Sequence, residues 1–476
     1  MIQFIAFGGA PDPKRERPPI GGSEYAFVDW DSKTVLLVDC GAYNLSAKER
    51  EWQSRALLSP ASPVFEYEIL GGQRFPIWPK VRSIAQYTEE NAVSAFSVND
   101  EEVLRGMREI YVVASHGHAD HIGALPFLKR RFPEARIIMS KETLEIALWS
   151  WYDSFRVAAS EKRQLPFDAI DVRRVQKSIE FVAPFGSFTA GPFHVEFFPA
   201  GHILGALCMK ITHGSLSVFV SGDISFKDQR TMNGASLPPG LVDYVVSEST
   251  YAGNVGISRD EAESQMLAHV RQVLAGGGKV LFPALAVGRS SEVFSILEAH
   301  GITKEYGVYL DGSACRLAKI YAGHGVLSPS VVHHFVDSSS LRQEIIHRDR
   351  PLVVIAPSGM LSGGRAVQYT RAWASDPRNL IAFSSYQDPC SPGHRLRDVM
   401  RGERVFFFGE MLEFNAKIGN YTLSAHMDGS ELTRMIDRMR PKKAFLVHGE
   451  EAGIDMVVAE FGGYVEKTFL NQAYSL

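Results

Sequence analysis

Apolar residues recur at every second position, or run unbroken, in MIQFIAFGG, SEYAFVDWD and KTVLLVDCG near the start of the chain. That two-residue period, rich in β-branched and aromatic residues and bounded by Gly and Pro, predicts strands of a mostly antiparallel sheet. A further apolar run at 110–114 predicts a buried strand. From Glu142 the period becomes helical through TLEIALWSWYDSF, and strands return in FHVEFFPAG, LCMKITHG and LSVFVSGD. Beyond Ser258 the pattern changes again: a helix RDEAESQMLAHVRQVLAGGG, a strand KVLFPAL, a helix from Arg289, then apolar runs YGVYLDG, PLVVIAPSG and NLIAFSSYQ. Strands alternating with helices in this way predict an open α/β sheet.

With 476 residues, 45% hydrophobic and 22% charged, the chain has material for two or three domains at ~150 residues each. No apolar run approaches the ~20 residues of a membrane span, and the N-terminus lacks the basic and apolar regions of a signal peptide. The expectation is a cytoplasmic protein with no membrane association. Cys40, Cys208, Cys315 and Cys390 are far apart and form no CxxC, so they read as small core residues in a reducing compartment. A net charge of -4 argues against coating nucleic acid through a global positive field; a nucleic-acid substrate would need a local basic groove.

The densest chemistry lies in YVVASHGHADHIGALPF, where the strand at 110–114 delivers His116, His118, Asp120 and His121 within six positions. One zinc ion takes about four N, O or S donors, so this density suggests two adjacent ions sharing a loop. The remaining donors come from similar settings, a polar residue just after an apolar strand: His202 in FFPAGHILGA, Asp223 in VFVSGDIS and His448 in AFLVHGE.

These residues carry a family resemblance. SHGHADH resembles the HxHxDH signature of the metallo-β-lactamase fold, and Asp39 in LLVDCG, His202 and Asp223 match its other motifs in order. SESTY, GGKVLFPALAVGRSSEV, APSGMLSGGRAVQY, SAHMD and FLVHGE are similar to the β-CASP branch, in an order closest to the cleavage and polyadenylation type of endonuclease. The resemblance implies an α/β architecture: an αββα metallo-β-lactamase sandwich from residues 1–252 and 422–476, with a β-CASP α/β domain inserted at 253–421 and the active site at the domain interface.

The resemblance also implies roles. His116, His118 and His202 would hold one Zn2+, Asp120, His121 and His448 a second, with Asp223 bridging; Mn2+ is the alternative ion. Asp120 would also serve catalysis, His426 in SAHMD would be the general acid, Glu248 in SEST would hold its proton, and Asp39 would orient a ligand without binding metal. The expected activity is hydrolysis of phosphodiester bonds in single-stranded RNA, because the RNA-processing members carry a histidine at the His448 position. Arg289 at a helix start, where free backbone N–H groups attract phosphate, and Ser358 and Gly359 in the APSGM turn are the candidate RNA contacts. The alternatives are a DNA nuclease, a small-molecule hydrolase, or a partner-dependent subunit of an RNA-processing complex. Lys129, Arg130 and Arg131, and the set Arg434, Arg438, Arg440, Lys442 and Lys443, read as solvated helix faces.

Three features depart from the family pattern. Asp39 and His116 are 77 positions apart (116 minus 39), where relatives have a few tens, so an extra apolar-rich element is expected around 45–95, and it is expected to modify substrate access. Ser385 replaces a glycine and CSPGHR replaces a Gly/Thr-rich run in SSYQDPCSPGHRL, which alters the expected RNA path. Neither a KH-like domain before the first strand nor a long C-terminal domain is seen, and any homodimer or partner protein supplying RNA affinity is not visible in the sequence.

Overall fold

In the computed structural model, which describes residues 2–8, 22–41, 67–70, 73–76, 103–160, 165–388, 391–469 and 472–476, the period of the early strands sorts side chains between two cores. Along Thr34–Val38 and Glu109–Val113, Val35, Leu37, Ile110 and Val112 join Leu125, Leu128, Trp151, Val172 and Val175 in one buried cluster. Their neighbours Leu36, Val38, Tyr111 and Val113 join Phe193, Phe197, Met209, Val218, Val246 and Phe445 in another. Helices thus cover one face of the first sheet, and a second sheet covers the other. Each such apolar side chain stabilises by about 1.5–3 kcal/mol on burial; truncating Phe445 to Ala is expected to cost about 3–5 kcal/mol.

The first sheet runs Ala473–Ser475, Ile2–Gly8, Glu24–Asp29, Thr34–Val38, Glu109–Val113, Arg136–Met139, Ile179–Phe181. It is mixed rather than mostly antiparallel: the first three pairings are antiparallel and the last three parallel. The parallel half is the half whose strands are buried on both faces, at 110–113 and 137–139, as parallel strands under helices are. The second sheet runs Val465–Lys467, Lys443–Val447, Tyr244–Glu248, Leu216–Val220, Leu207–His213, Phe193–Pro199, Ser187–Ala190.

Strand direction decides where chemistry collects. Leu216–Val220, Tyr244–Glu248 and Lys443–Val447 are mutually parallel, and Phe193–Pro199 points the same way, since Leu207–His213 is antiparallel to both it and Leu216–Val220. The carboxyl ends of these four strands therefore share one edge, and His202, Asp223, Glu248 and His448 all lie at or just beyond those ends. In the first sheet the parallel pairing of Val38 with Val113 likewise sets Asp39 beside the loop that starts at Ala114.

The chain divides into two compact units. These strands, with Ala425–Leu476, belong to one, and Ile257–Ser424 builds the other. In the second unit a six-stranded parallel sheet runs Phe335–Val336, Gly307–Asp311, Leu352–Ala356, Lys279–Pro283, Leu380–Phe383, Lys417–Asn420, the open α/β sheet expected from the alternating pattern. Among the described residues no helix is long and apolar enough to cross a membrane. The element expected around 45–95 lies outside the described residues, apart from the backbone of a two-stranded ribbon, Tyr67–Leu70 with Gln73–Pro76; so does Cys390.

Lys129 is not the solvated residue expected, whereas Arg130 and Arg131 are exposed, as read. Lys129 is buried, and its ammonium donates to the carbonyls of Pro133 and Ala135 at 2.6 and 2.7 Å. Arg130 pairs with Asp168 and Asp171. Lys129 thus ties down the loop that follows its own helix, Leu125–Arg131, and Arg130 reaches the N-terminal end of the helix Ala169–Lys177. Arg434, Arg438, Arg440 and Lys442 are exposed, as read.

Candidate metal centre

The loop after Glu109–Val113 turns into a short helix, Ala119–Ile122, so His116 and His118 lie on the extended part and Asp120 and His121 on the first turn. Gly41 is required beneath it, because a Cβ there would stand 1.7 Å from the Asp120 carbonyl oxygen. The Asp120 carbonyl accepts from the N–H of Ser23 and that of His121 from Cys40, which fixes the turn to the first sheet.

Among the described residues three overlapping groups of donors result. His116, His118, His202 and Asp223 form the first and Asp120, His121 and His448 the second, while Asp223, Glu248 and His448 form a third that draws on both. His116 Nε2 and His202 Nε2 each lie 3.0 Å from His118 Nδ1, and each lies 3.5 Å from Asp223 Oδ2. A tetrahedron of donors about 2.0–2.1 Å from its centre has edges of ~3.3 Å, so this first group has the dimensions of a zinc-sized site. Asp223 Oδ1 faces the second group, 3.4 Å from His121 Nε2, while His448 Nε2 and His121 Nε2 lie 3.4 and 3.8 Å from Asp120 Oδ2. One carboxylate thus offers one oxygen to each group. Asp223 Oδ1 is buried without a hydrogen-bond partner, which costs free energy unless a cation completes it. The donor set fits two divalent metal ions.

Partners behind the rings decide which nitrogen faces inward. His202 Nδ1 donates to the Ala425 carbonyl at 2.8 Å, and His121 Nδ1 donates to Asp39 Oδ2 at 2.7 Å, leaving each Nε2 lone pair for the centre. Asp39, fully buried, also accepts from the Ser115 N–H and hydroxyl at 2.7 and 2.8 Å. The Ser115 hydroxyl in turn lies 3.0 Å from His116 Nδ1.

Charge in the metal-free centre is divided unevenly. Burial, with the neighbouring imidazoles His121 and His426 respectively, pushes His116 and His202 well below the usual histidine range. Burial acts the same way on His121 and His448, but Asp223 and its neighbouring carboxylates outweigh it, taking His121 well above that range and His448 to about 9. Burial opposes ionisation of Asp120 and Asp223, and His121 and His448 outweigh it to hold both below the usual carboxylate range.

Beside this cluster stands His426. Its Nδ1 donates to Glu248, 2.9 and 2.8 Å from the two oxygens, and its Nε2 lies 4.0 Å from Asp223 Oδ2. Burial lowers the proton affinity of His426, and Glu248 and Asp223 more than restore it. Its loop is tied down: the Met427 N–H donates to Ile224 O, and Asp428 Oδ2 accepts from Lys227 Nζ, both at 2.7 Å. Ser115 and Thr250 are site residues that the sequence reading missed. The signal was their adjacency to the motifs, the serine before His116 and the last threonine of SEST, and a hydroxyl at a strand end is too common to stand out.

The remaining candidates lie in the second unit, at the carboxyl edge of its parallel sheet. Arg289 begins the helix Arg289–Ala299 behind Gly288, but the N–H groups of Arg289 and Ser290 are taken by Val287 O and Leu285 O, at 2.9 and 3.0 Å. The free donors expected there are therefore reduced by two, because the Gly288 turn folds the preceding loop back onto the helix end. Ser358 Oγ accepts from the Ser362 N–H at 2.9 Å. The Gly359 carbonyl accepts from Gln387 Nε2 at 3.0 Å, and a Cβ at Gly359 would lie 2.8 Å from Leu285 N.

Three family models match the chain. The metallo-beta-lactamase superfamily model matches residues 97–283, the Beta-Casp domain model residues 292–396, and the model of the Zn-dependent metallo-hydrolase RNA specificity domain residues 411–459. The transcription termination factor FttA of Methanosarcina mazei is 31% identical over 376 residues, 71% of this chain and 58% of that protein. An RNase J-like protein of Methanocaldococcus jannaschii is 25% identical over 354 residues, 71% of this chain and 81% of that one. The chain thus spans under three fifths of the length of the termination factor. A crystal structure of a protein of unknown function from Enterococcus faecalis superposes over both whole chains with a TM-score of 0.55 at 11% identity, a likeness of fold.

Proposed function

Because the chain belongs to the β-CASP branch of the metallo-β-lactamase superfamily, we propose that it is a two-metal nuclease that hydrolyses phosphodiester bonds in single-stranded RNA. The observation that carries this reading is the His426–Glu248 pair beside a carboxylate shared between two donor groups. A proton donor next to a cation pair is what breaking a P–O ester bond requires. RNA is favoured as substrate by the match to the RNA specificity domain and by the RNase J-like relative.

Under this reading His116, His118, His202 and Asp223 would hold one Zn2+, and Asp120, His121, His448 and Asp223 the other; Mn2+ is the alternative. The two ions would supply positive charge that activates a water nucleophile near neutral pH and offsets charge on the phosphodiester oxygens. Asp39 fixes the ring of His121. His426, protonated and held by Glu248, gives its Nε2 proton to the oxygen that leaves phosphorus as the P–O bond to water forms, so no alkoxide is released. In the second unit, the turn of Ser358 and Gly359 and the helix start at Arg289 would hold the RNA backbone, through donors other than the two already taken.

The test is cleavage of an end-labelled single-stranded RNA and its DNA counterpart by the metal-loaded chain, beside His118→Ala and His426→Ala. Cleavage of RNA alone, lost in both variants, supports the proposal. Equal cleavage of DNA replaces it by the DNA-nuclease reading, and cleavage of neither strand removes it.

A further inference from the structure

Thr250 stands where the two halves of the site meet. Its Oγ1 lies 2.5 Å from Glu248 Oε2, 3.1 Å from His448 Nδ1, 3.2 Å from the His448 carbonyl oxygen and 3.4 Å from His426 Nδ1. A hydroxyl has one proton to give, and an ionised carboxylate can only accept. The nearest and most strongly accepting neighbour is Glu248, so the proton goes there. What remains on Oγ1 is lone pair, and lone pair facing His448 Nδ1 requires that this nitrogen carry a proton. When His448 gives up one proton, the one on Nδ1 is the one held, and Nε2, the nitrogen 3.4 Å from Asp120 Oδ2, is left open to a cation.

The same device occurs once more in the centre, built from unrelated residues. Ser115 gives its proton to Asp39 and presents lone pair to His116 Nδ1, whose Nε2 faces the first donor group. Carboxylate, hydroxyl and imidazole follow one another in the same order, once behind each of the first two donor groups. In both versions the carboxylate holds a further imidazole: Asp39 also accepts from His121 Nδ1, a ring of the second donor group, and Glu248 accepts from His426 Nδ1, which belongs to none of the groups.

Resting on the reading of Glu248 and His426 as the proton-donating pair, we propose that Thr250 is a positioning residue that ties the second metal site to that pair, orienting His448 for metal through one side of its hydroxyl and Glu248 through the other. Thr250 belongs to none of the donor groups. Its effect passes through the ring it turns and the carboxylate it holds. Losing the hydroxyl leaves His448 Nδ1 without its acceptor, so the ring is free to present the wrong nitrogen to the second site, while the first donor group keeps all its partners.

The experiment compares Thr250→Val and Thr250→Ser in the full chain, read first without any RNA. Metal-free protein is titrated with Zn2+ against a chelating indicator, and folding is checked by circular dichroism. Thr250→Val is expected to bind one equivalent as the unaltered chain does and the other about 10–100-fold more weakly, the usual loss on removing a partner behind a ligand. Thr250→Ser, which keeps the hydroxyl, should restore it. Two equivalents bound with unchanged affinity by Thr250→Val, or equal weakening in Thr250→Val and Thr250→Ser, would overturn the proposal. If Thr250→Val does not fold, Thr250→Ala replaces it with the same expectations. Because the metal titration uses no nucleic acid, failure of the chain to cut RNA would sink the proposed activity and leave this result standing. The reverse pattern, RNA cleavage with indifferent zinc binding, would sink only Thr250.

Discussion

In the second unit, Arg342 reaches the buried Asp311 with two N–H groups, at 2.6 and 2.8 Å, and Tyr369 donates to the same carboxylate at 2.8 Å. Cation, anion and phenol complete one another there. In the first unit, five imidazoles and two carboxylates of the metal centre are packed as closely, yet His118 Nε2 and Asp223 Oδ1 are buried without hydrogen-bond partners, and the rings push one another's proton affinities apart. Burial of polar groups is alike in both. What differs is closure: the Asp311 cluster is complete in itself, whereas the histidine cluster leaves buried atoms that a cation would complete. A buried polar cluster points to function when its charges do not close on themselves, because folding would otherwise select against the cost of leaving them open.

The contrast can be broken from either side. The largest effect expected is for Asp223→Ala, which removes a donor from both groups at once and should abolish cleavage, measured as initial rate on labelled RNA. His426→Ala should lower the rate by about 10²–10⁴-fold, the usual worth of a positioned proton donor, while the metal content, measured by mass spectrometry, stays that of the unaltered chain. Asp311→Ala in the closed cluster should do the reverse. It strands a buried Arg342 and should cost about 3–5 kcal/mol in denaturant unfolding, with zinc binding per folded molecule unchanged.

The smallest effect is on pH. In the metal-free centre His448 keeps its proton up to about 9, and His121 is raised as well, so an entering cation must displace protons. Apparent zinc affinity should therefore climb with pH through the neutral range, by up to about tenfold per pH unit for each proton released, and level off above about 9. The metal-free chain should behave oppositely. Stabilisation from the raised His448 is fully present below the unfolded value of ~6.5 and is lost as pH rises through about 9, and His121, raised in the same direction, adds to it. Calorimetry in buffers of different ionisation enthalpy would count the protons.

The parts of the centre that were legible in the sequence share one feature. His116 to His121, His202, Asp223, Glu248 and His448 each lie at the end of an apolar strand, and strands of like direction deliver their ends to one edge, so order along the chain becomes proximity in space. The α/β sheet beyond Ser258 was legible for a similar reason, its period being strong and regular. Pairing direction was not: the run at 110–113 has the same apolar residues whether its neighbour runs parallel or antiparallel. Nor were Ser115, Thr250 and Lys129, whose roles depend on which single atom lies within about 3 Å, a distance no periodicity encodes. Arg289 shows the limit within a correct element, since its helix begins where expected but the loop before it had already taken two of its donors.

The most direct test is metal stoichiometry of the unaltered chain and of Asp223→Ala, each loaded with Zn2+ at pH 8, dialysed and analysed per folded chain. Two ions per chain, with both lost or weakened together in the variant, is the result predicted. One ion or none in the unaltered chain, or two retained without Asp223, would contradict the shared carboxylate on which the account rests.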